Sequence, residues 1–358
     1  MKAPDTEAVL ARLGRAMFRS PGAAAVSLLL TAALAWAAFA LWRWGVRDAV
    51  FGADLAACQA ARGQGACWGF VAEKHRLILF GRYPYDAQWR PLLASALLLA
   101  MLALSAWPRL WSRAGARWLA AGWLLALPAF FVLMAGGVFG LARIESAAWG
   151  GLPLTLVLTL IGMVGSAPLG VLLALGRRSS LGAVSMLCTL YIELVRSVPL
   201  ITVLFVAAFV LPLMLPPQWQ LDAFTRIACG IALFQAAYLA ETVRGGLQTV
   251  PRGQYEAAAS LGLGYWRSHA SIILPQAFVA VVPALVNSLL STFMDTALVT
   301  VVSLYDLTGA LRLAFGDAQW NAFFIEGYLF VGAIYFFGCL ALSRYSGWLE
   351  RRLRAGVR

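Results

Sequence analysis

Two pairs of opposite charge stand three residues apart in otherwise apolar stretches: Glu193 with Arg196, and Glu241 with Arg244. At that spacing both members of a pair share one face of a helix and can neutralise each other. The first pair falls near the middle of an apolar run over 183 to 211, where a lone ionised group costs at least ~2.5 to 3.5 kcal/mol. Two roles are open to it. A structural ion pair would fix a helix interrupted at Pro199, whose ring frees a backbone carbonyl one turn earlier. A pair lining a pathway would instead offer one anionic and one cationic contact to a zwitterion, with the guanidinium forking to a carboxylate. Glu241 and Arg244, at the end of their run, are placed to brace the polar interval that follows. Asn287 near mid-run and Asp295 farther along either hydrogen-bond a partner subunit or contact a translocated solute.

Several other chemistries are excluded. The lysines are Lys2 and Lys74, and neither stands in a G-x4-G-K-[S/T] context, so the chain has no phosphate-cradling loop of that kind. His75 and His269 are expected on opposite sides of a membrane, and there is no H-E-x-x-H or G-x-S-x-G pattern. The chain is expected not to be an enzyme, to hold no metal and to bind no cofactor of its own.

The polar interval 246 to 275 has its own punctuation. Pro251 and Gly253 break the preceding run, Gln254 to Leu261 is rich in helix formers, and Gly262 stands where a left-handed residue would end a two-turn helix. Gly264 adds a bend, Ser268 is placed to cap the next helix, and Pro275 suits its first or second turn. The small Ala257 and Ala258 permit close approach of another backbone, and Glu256 supplies one anchored charge for a cationic partner.

The elements that must position these residues follow from composition. Of 358 residues 61% are hydrophobic and 12% charged, with mean hydropathy +0.78, far from soluble usage. An all-α membrane protein of about eight spans is expected, over 23 to 42, 91 to 107, 118 to 139, 152 to 175, 183 to 211, 226 to 245, 276 to 300 and 325 to 345. Basic residues gather at alternate ends of these runs, at Arg12, Arg15 and Arg19, at Arg109 to Arg117, at Arg177 and Arg178, at Arg252 and Arg267, and at Arg351 to Arg358. The positive-inside rule then places both termini and the 246 to 275 interval in the cytoplasm. The net charge of +12 reads as topology and contact with anionic lipid rather than nucleic acid, because it is spread along membrane edges. Ala35-Trp36-Ala37 resembles a processing site, but the long polar lead and apolar run favour an uncleaved anchor. Cys58 and Cys67 flank a Gly-rich turn in the outer 43 to 90 loop, where an oxidising compartment favours a disulfide over two free thiols.

The order along the chain is therefore a cytoplasmic segment 1 to 22, a three-helix extension 23 to 148, a core 149 to 345 and a basic tail 346 to 358. Polar residues recur at spaced positions only in the core, which is expected to carry the function.

The interval also carries a resemblance. Glu256-Ala257-Ala258, three residues, Gly262, nine residues and Ile272-x-Leu274-Pro275 match the E-A-A-x3-G-x9-I-x-L-P loop of bacterial ABC importer permeases. Segments 149 to 156, 191 to 200, 238 to 247 and 343 to 352 resemble the polar amino-acid uptake branch, over about 149 to 355. The N-terminal spans and the Cys58/Cys67 loop are similar to those of the larger permeases of general L-amino-acid uptake systems. One departure stands out: a family stretch commonly ending Lys-Asp-Thr-Ser-Leu reads Met294-Asp295-Thr296-Ala297-Leu298 here.

The resemblance implies a permease subunit in the bacterial inner membrane, importing L-amino acids by alternating access. It implies two cytoplasmic ATPase subunits carrying ATP and Mg, a second permease, and a periplasmic amino-acid-binding protein. The unequal size of this chain favours a paralogue as that second permease. It further implies that Glu256, Ala257, Ala258, Gly262 and Gly264 belong to the coupling helix that meets the ATPase. The competing reading is an ion-coupled secondary amino-acid carrier acting without an ATPase.

Overall fold

The computed structural model describes residues 20–356; Lys2, Arg12, Arg15, Arg19 and Arg358, which the orientation argument uses, lie outside them. Among the described residues seven helices are long and apolar enough to cross a membrane, or eight if one bent pair is a single span. The only strand described is the two-residue Tyr305–Asp306, so the all-α expectation fits. The chain divides into two units, one running to Glu73 and including Ala322–Glu326, the other of Lys74–Asn321 with Gly327–Arg358.

In the first unit, Ser20 starts the Pro21–Trp42 helix, its hydroxyl accepting from the amide of Ala23 at 3.2 Å, with Pro21 in the first turn, where a missing amide costs nothing. No residue of that helix is buried, as expected of an apolar helix facing lipid all round. Beyond it, Asp54 caps the short helix Leu55–Ala60 through the amides of Ala56 and Ala57. Cys58 and Cys67 form a disulfide across a turn containing the left-handed Gly63, with Cα atoms 5.3 Å apart. The amide of Cys67 donates to the buried carboxylate of Glu326 at 2.7 Å.

In the second unit the helices Trp89–Ala106 and Arg113–Ala135 share one apolar core with Gly151–Arg177 and Ala223–Thr249, joining Leu98, Phe130 and Met134 to Leu154, Leu158 and Ile227. The division expected at 148/149 therefore does not coincide with a packing boundary. Nor is the extension poor in buried charge: Arg90 is 2% exposed and donates to the carbonyls of Leu133, Ala142 and Met134, acceptors at and beyond the end of Arg113–Ala135 that no helical amide reaches. Tyr83 donates to two of the same carbonyls, and burial pushes its phenol up to about 12 against the opposing pull of Arg90.

The central helix Ala223–Thr249 is the most enclosed of the spans. Gly162 meets Ile231 and Thr292, and Gly246 meets the backbone of Ala277, at distances a Cβ would violate; without a hydrophobic drive between helices in lipid, such small residues let backbones approach.

Two expected spans need revision. The 183 to 211 run is two helices, Gly182–Ser197 and Leu200–Met214, bent by 101°. Val198 is extended (φ −103°, ψ 136°) ahead of Pro199, the conformation imposed on a residue preceding proline. The run expected at 276 to 300 begins instead at Tyr265 and continues to Val302. Pro275 therefore sits well inside it, just after a π turn at His269–Ile273 whose wider ring absorbs the lost amide. The tail expected from 346 is helical as well, because Phe324–Gly356 is one helix.

Candidate functional site

The 249–264 connection begins where the central helix stops at Thr249. Val250 is extended and Pro251 (φ −60°, ψ 143°) precedes the loop helix Arg252–Ser260. That helix ends in a Schellman motif, with the amide of Gly262 on the carbonyl of Ala259 at 2.9 Å and that of Leu263 on Ala258 at 3.1 Å. Gly262 has φ +68°, the left-handed conformation glycine adopts without penalty. Gly264 follows in extended conformation ahead of the helical turn at Tyr265. Ser268 does not cap that helix; it lies buried inside it.

The exposed surface of this element is specific. Glu256, Ala257, Ala259 and Gly262 are uncovered, while Ala258 is 1% exposed and packs inward. Of the two alanines expected to permit approach from outside, Ala257 can and Ala258 cannot. Beside them stand three large apolar side chains that the spacing argument passed over: Leu261, Tyr265 and Trp266, at 75%, 50% and 66% exposure. The signal was available, since all three flank Gly262 and Gly264 in a polar interval where burial gives them no role. Leu261 lies on the connection, whereas Tyr265 and Trp266 open the span that follows it, where uncovered aromatic groups meet either another molecule or the bilayer surface.

The charged residues form a second arrangement, and their pairing differs from the expected one. Glu193 does not pair with Arg196. Arg177 reaches Glu193 at 2.8 Å and Glu241 at 2.5 Å, Arg244 forks onto Glu241 at 2.8 to 3.1 Å, and Arg196 lies 3.7 Å from the same carboxylate. Three guanidiniums converge on Glu241, whose side chain is 14% exposed. The reason is the break at Pro199: it puts Glu193 and Arg196 at the end of a helix rather than mid-span, beside Gly151–Arg177 and the central helix. Arg177 had been read only as a topology signal. Arg196 also stacks over Tyr238 at 5.5 Å, and with Glu193, Ser197 and Tyr238 it lines a cavity of about 260 Å³.

Asn287 is exposed and Asp295 half-buried, and neither forms an ion pair with that cluster; Asp295 closes the α-helical part of its span. At the neighbouring departure, Met294 is 52% exposed.

The family described as binding-protein-dependent transport system inner membrane component matches residues 166–355. The chain is 44% identical over 306 residues to the inner membrane amino-acid ABC transporter permease protein YhdY of Escherichia coli (strain K12), covering 85% of this chain and 82% of that protein. It is 34% identical over 399 residues to the glutamate/glutamine/aspartate/asparagine transport system permease protein BztC of Rhodobacter capsulatus, covering 94% of this chain and 92% of that one. Among solved structures, an amino acid ABC transporter crystallised with histidines shares 31% identity over 55% of this chain and 90% of its own, with a TM-score of 0.49.

Proposed function

The chain belongs to the family of binding-protein-dependent transport system inner membrane components, and from that premise we propose that it is the permease subunit of an ATP-driven importer of L-amino acids. It is a multi-pass inner-membrane transport protein rather than an enzyme, and the ion-coupled secondary carrier is set aside by its family. ATP and Mg are bound and used by two separate ATPase subunits, substrate arrives from a periplasmic amino-acid-binding protein, and a second permease, a paralogue of this chain, completes the pathway. The relatives named above for amino-acid transport support that substrate class.

The observation that carries the coupling assignment is the loop helix Arg252–Ser260, closed by Gly262, with Glu256, Ala257 and Leu261 uncovered on a connection between two spans. Seated in a cleft of the ATPase, it would move when the nucleotidases close, and the bundle would pass between two access states as nearly rigid helices. The permease contributes differential binding in those states. With both termini and this loop in the cytoplasm, the disulfide-bearing segment faces the oxidising side.

The test is Glu256→Lys and Gly262→Pro in the reconstituted complex. Loss of substrate-stimulated ATPase activity and transport is expected in both; undiminished activity in both variants would sink the coupling assignment.

A further inference from the structure

Arg177 and Arg178 are consecutive, yet their side chains leave the corner at the end of Gly151–Arg177 in different directions. Arg177 enters the charge cluster on Glu241 and Glu193. Arg178 donates to the hydroxyl of Tyr255 on the loop helix at 3.3 Å and lies 5.8 Å from the centre of its ring. That hydroxyl donates in turn to the carbonyl of Leu247 at 3.3 Å, near the end of the same central helix that carries Glu241 six residues earlier. Three contacts close a circuit: corner to loop helix, loop helix to central helix, and back to the corner through Glu241. Tyr255 is half-buried and does not share the uncovered face of Glu256 and Ala257. Arg178, Leu247, Tyr255 and Glu256 line a common open groove of about 450 Å³, so the circuit borders space on the side of the loop helix.

We propose that Arg178 and Tyr255 are positioning residues that pass displacement of the loop helix to the Arg177–Glu241 pair, and through it to the cavity lined by Glu193, Arg196 and Tyr238. The inference rests on the importer reading. Each acts by fixing the corner against the central helix. A packed path with two discrete arrangements can carry coupling between distant sites, and single residues along one modulate it.

The experiment uses the complete complex of both permeases, the ATPases and the binding protein in lipid nanodiscs. Basal ATPase rate, the rate with liganded binding protein and the yield of complex are measured for Arg178→Ala, Tyr255→Phe and the double variant. Tyr255→Phe keeps the ring beneath the guanidinium and deletes only the hydroxyl. The ratio of stimulated to basal rate is expected to fall about threefold to tenfold in each single variant, with basal rate and yield unchanged. The double variant is expected to be no worse than the poorer single one, because both break the same circuit. An unchanged ratio, additive losses, or a fall in rate that tracks a fall in yield overturns the proposal. Absence of stimulation in the unaltered complex overturns the importer reading itself.

Discussion

The loop helix Arg252–Ser260 and the charge cluster around Glu241 are joined through the last turns of the central helix and hold their side chains in opposite ways. In the loop helix the backbone supplies the order: a Schellman end, a left-handed glycine and one inward alanine leave Leu261, Tyr265 and Trp266 uncovered. In the cluster side chains supply it: three guanidiniums and two carboxylates from three helices satisfy one another. The uncovered face is thus held from beneath by backbone groups. A joint between helices is held by the side chains themselves, so any one of them matters to the rest.

That contrast can be broken most forcefully at Glu241. Glu241→Ala leaves Arg177, Arg196 and Arg244 facing one another across a partly exposed site, and is expected to cost about 1 to 3 kcal/mol, read as a lower unfolding midpoint and yield in detergent. An unchanged midpoint would mean that solvent, not Glu241, balances those charges. At the other region the expected effect on stability is smaller and the effect on assembly larger. Leu261→Ser with Trp266→Ser should shift stability by no more than about 0.5 kcal/mol while the ATPase no longer co-purifies; a large loss of stability would show that these side chains serve the fold.

The smallest effect sharpens the comparison with a pair lying in neither region. Lys74 donates to Asp317 at 2.7 Å, and that hydrogen bond holds the Asp317 carboxyl below its ordinary value. A depressed carboxylate adds stability above its unfolded pKa, near 3.9, and loses it as pH falls through the lower folded value. Stability should therefore be flat near neutrality and decline only in strong acid, with the Lys74-dependent part of that decline absent from Asp317→Asn in thermal unfolding at stepped pH.

What could be read from the chain alone divides along the same line. Gly262 was legible because a helix end is decided by neighbours in sequence. The span pattern was legible because the bilayer imposes a length. The pairing of Glu193 was not, because its partner Arg177 is 16 residues away across a bend, and three-residue spacing reports only who could share a face. Pro199 stood in plain view, yet an apolar run does not state its own direction, and the 101° bend sets which charges meet. The burial of Arg90 was not legible for a similar reason: its carbonyl partners lie some 40 to 50 residues downstream.

The π turn at His269–Ile273 has a consequence for how this segment can change length. Each residue advances an α-helix by about 100°, so deleting one residue from a regular stretch swings everything beyond it away from its packing face. A π turn already holds one residue more than the α turn it replaces. Shortening the chain by one inside it would restore ordinary winding and leave both flanks aimed as before. Here, between the loop helix and the bundle, the chain carries a slot from which a single codon can be lost without turning either side.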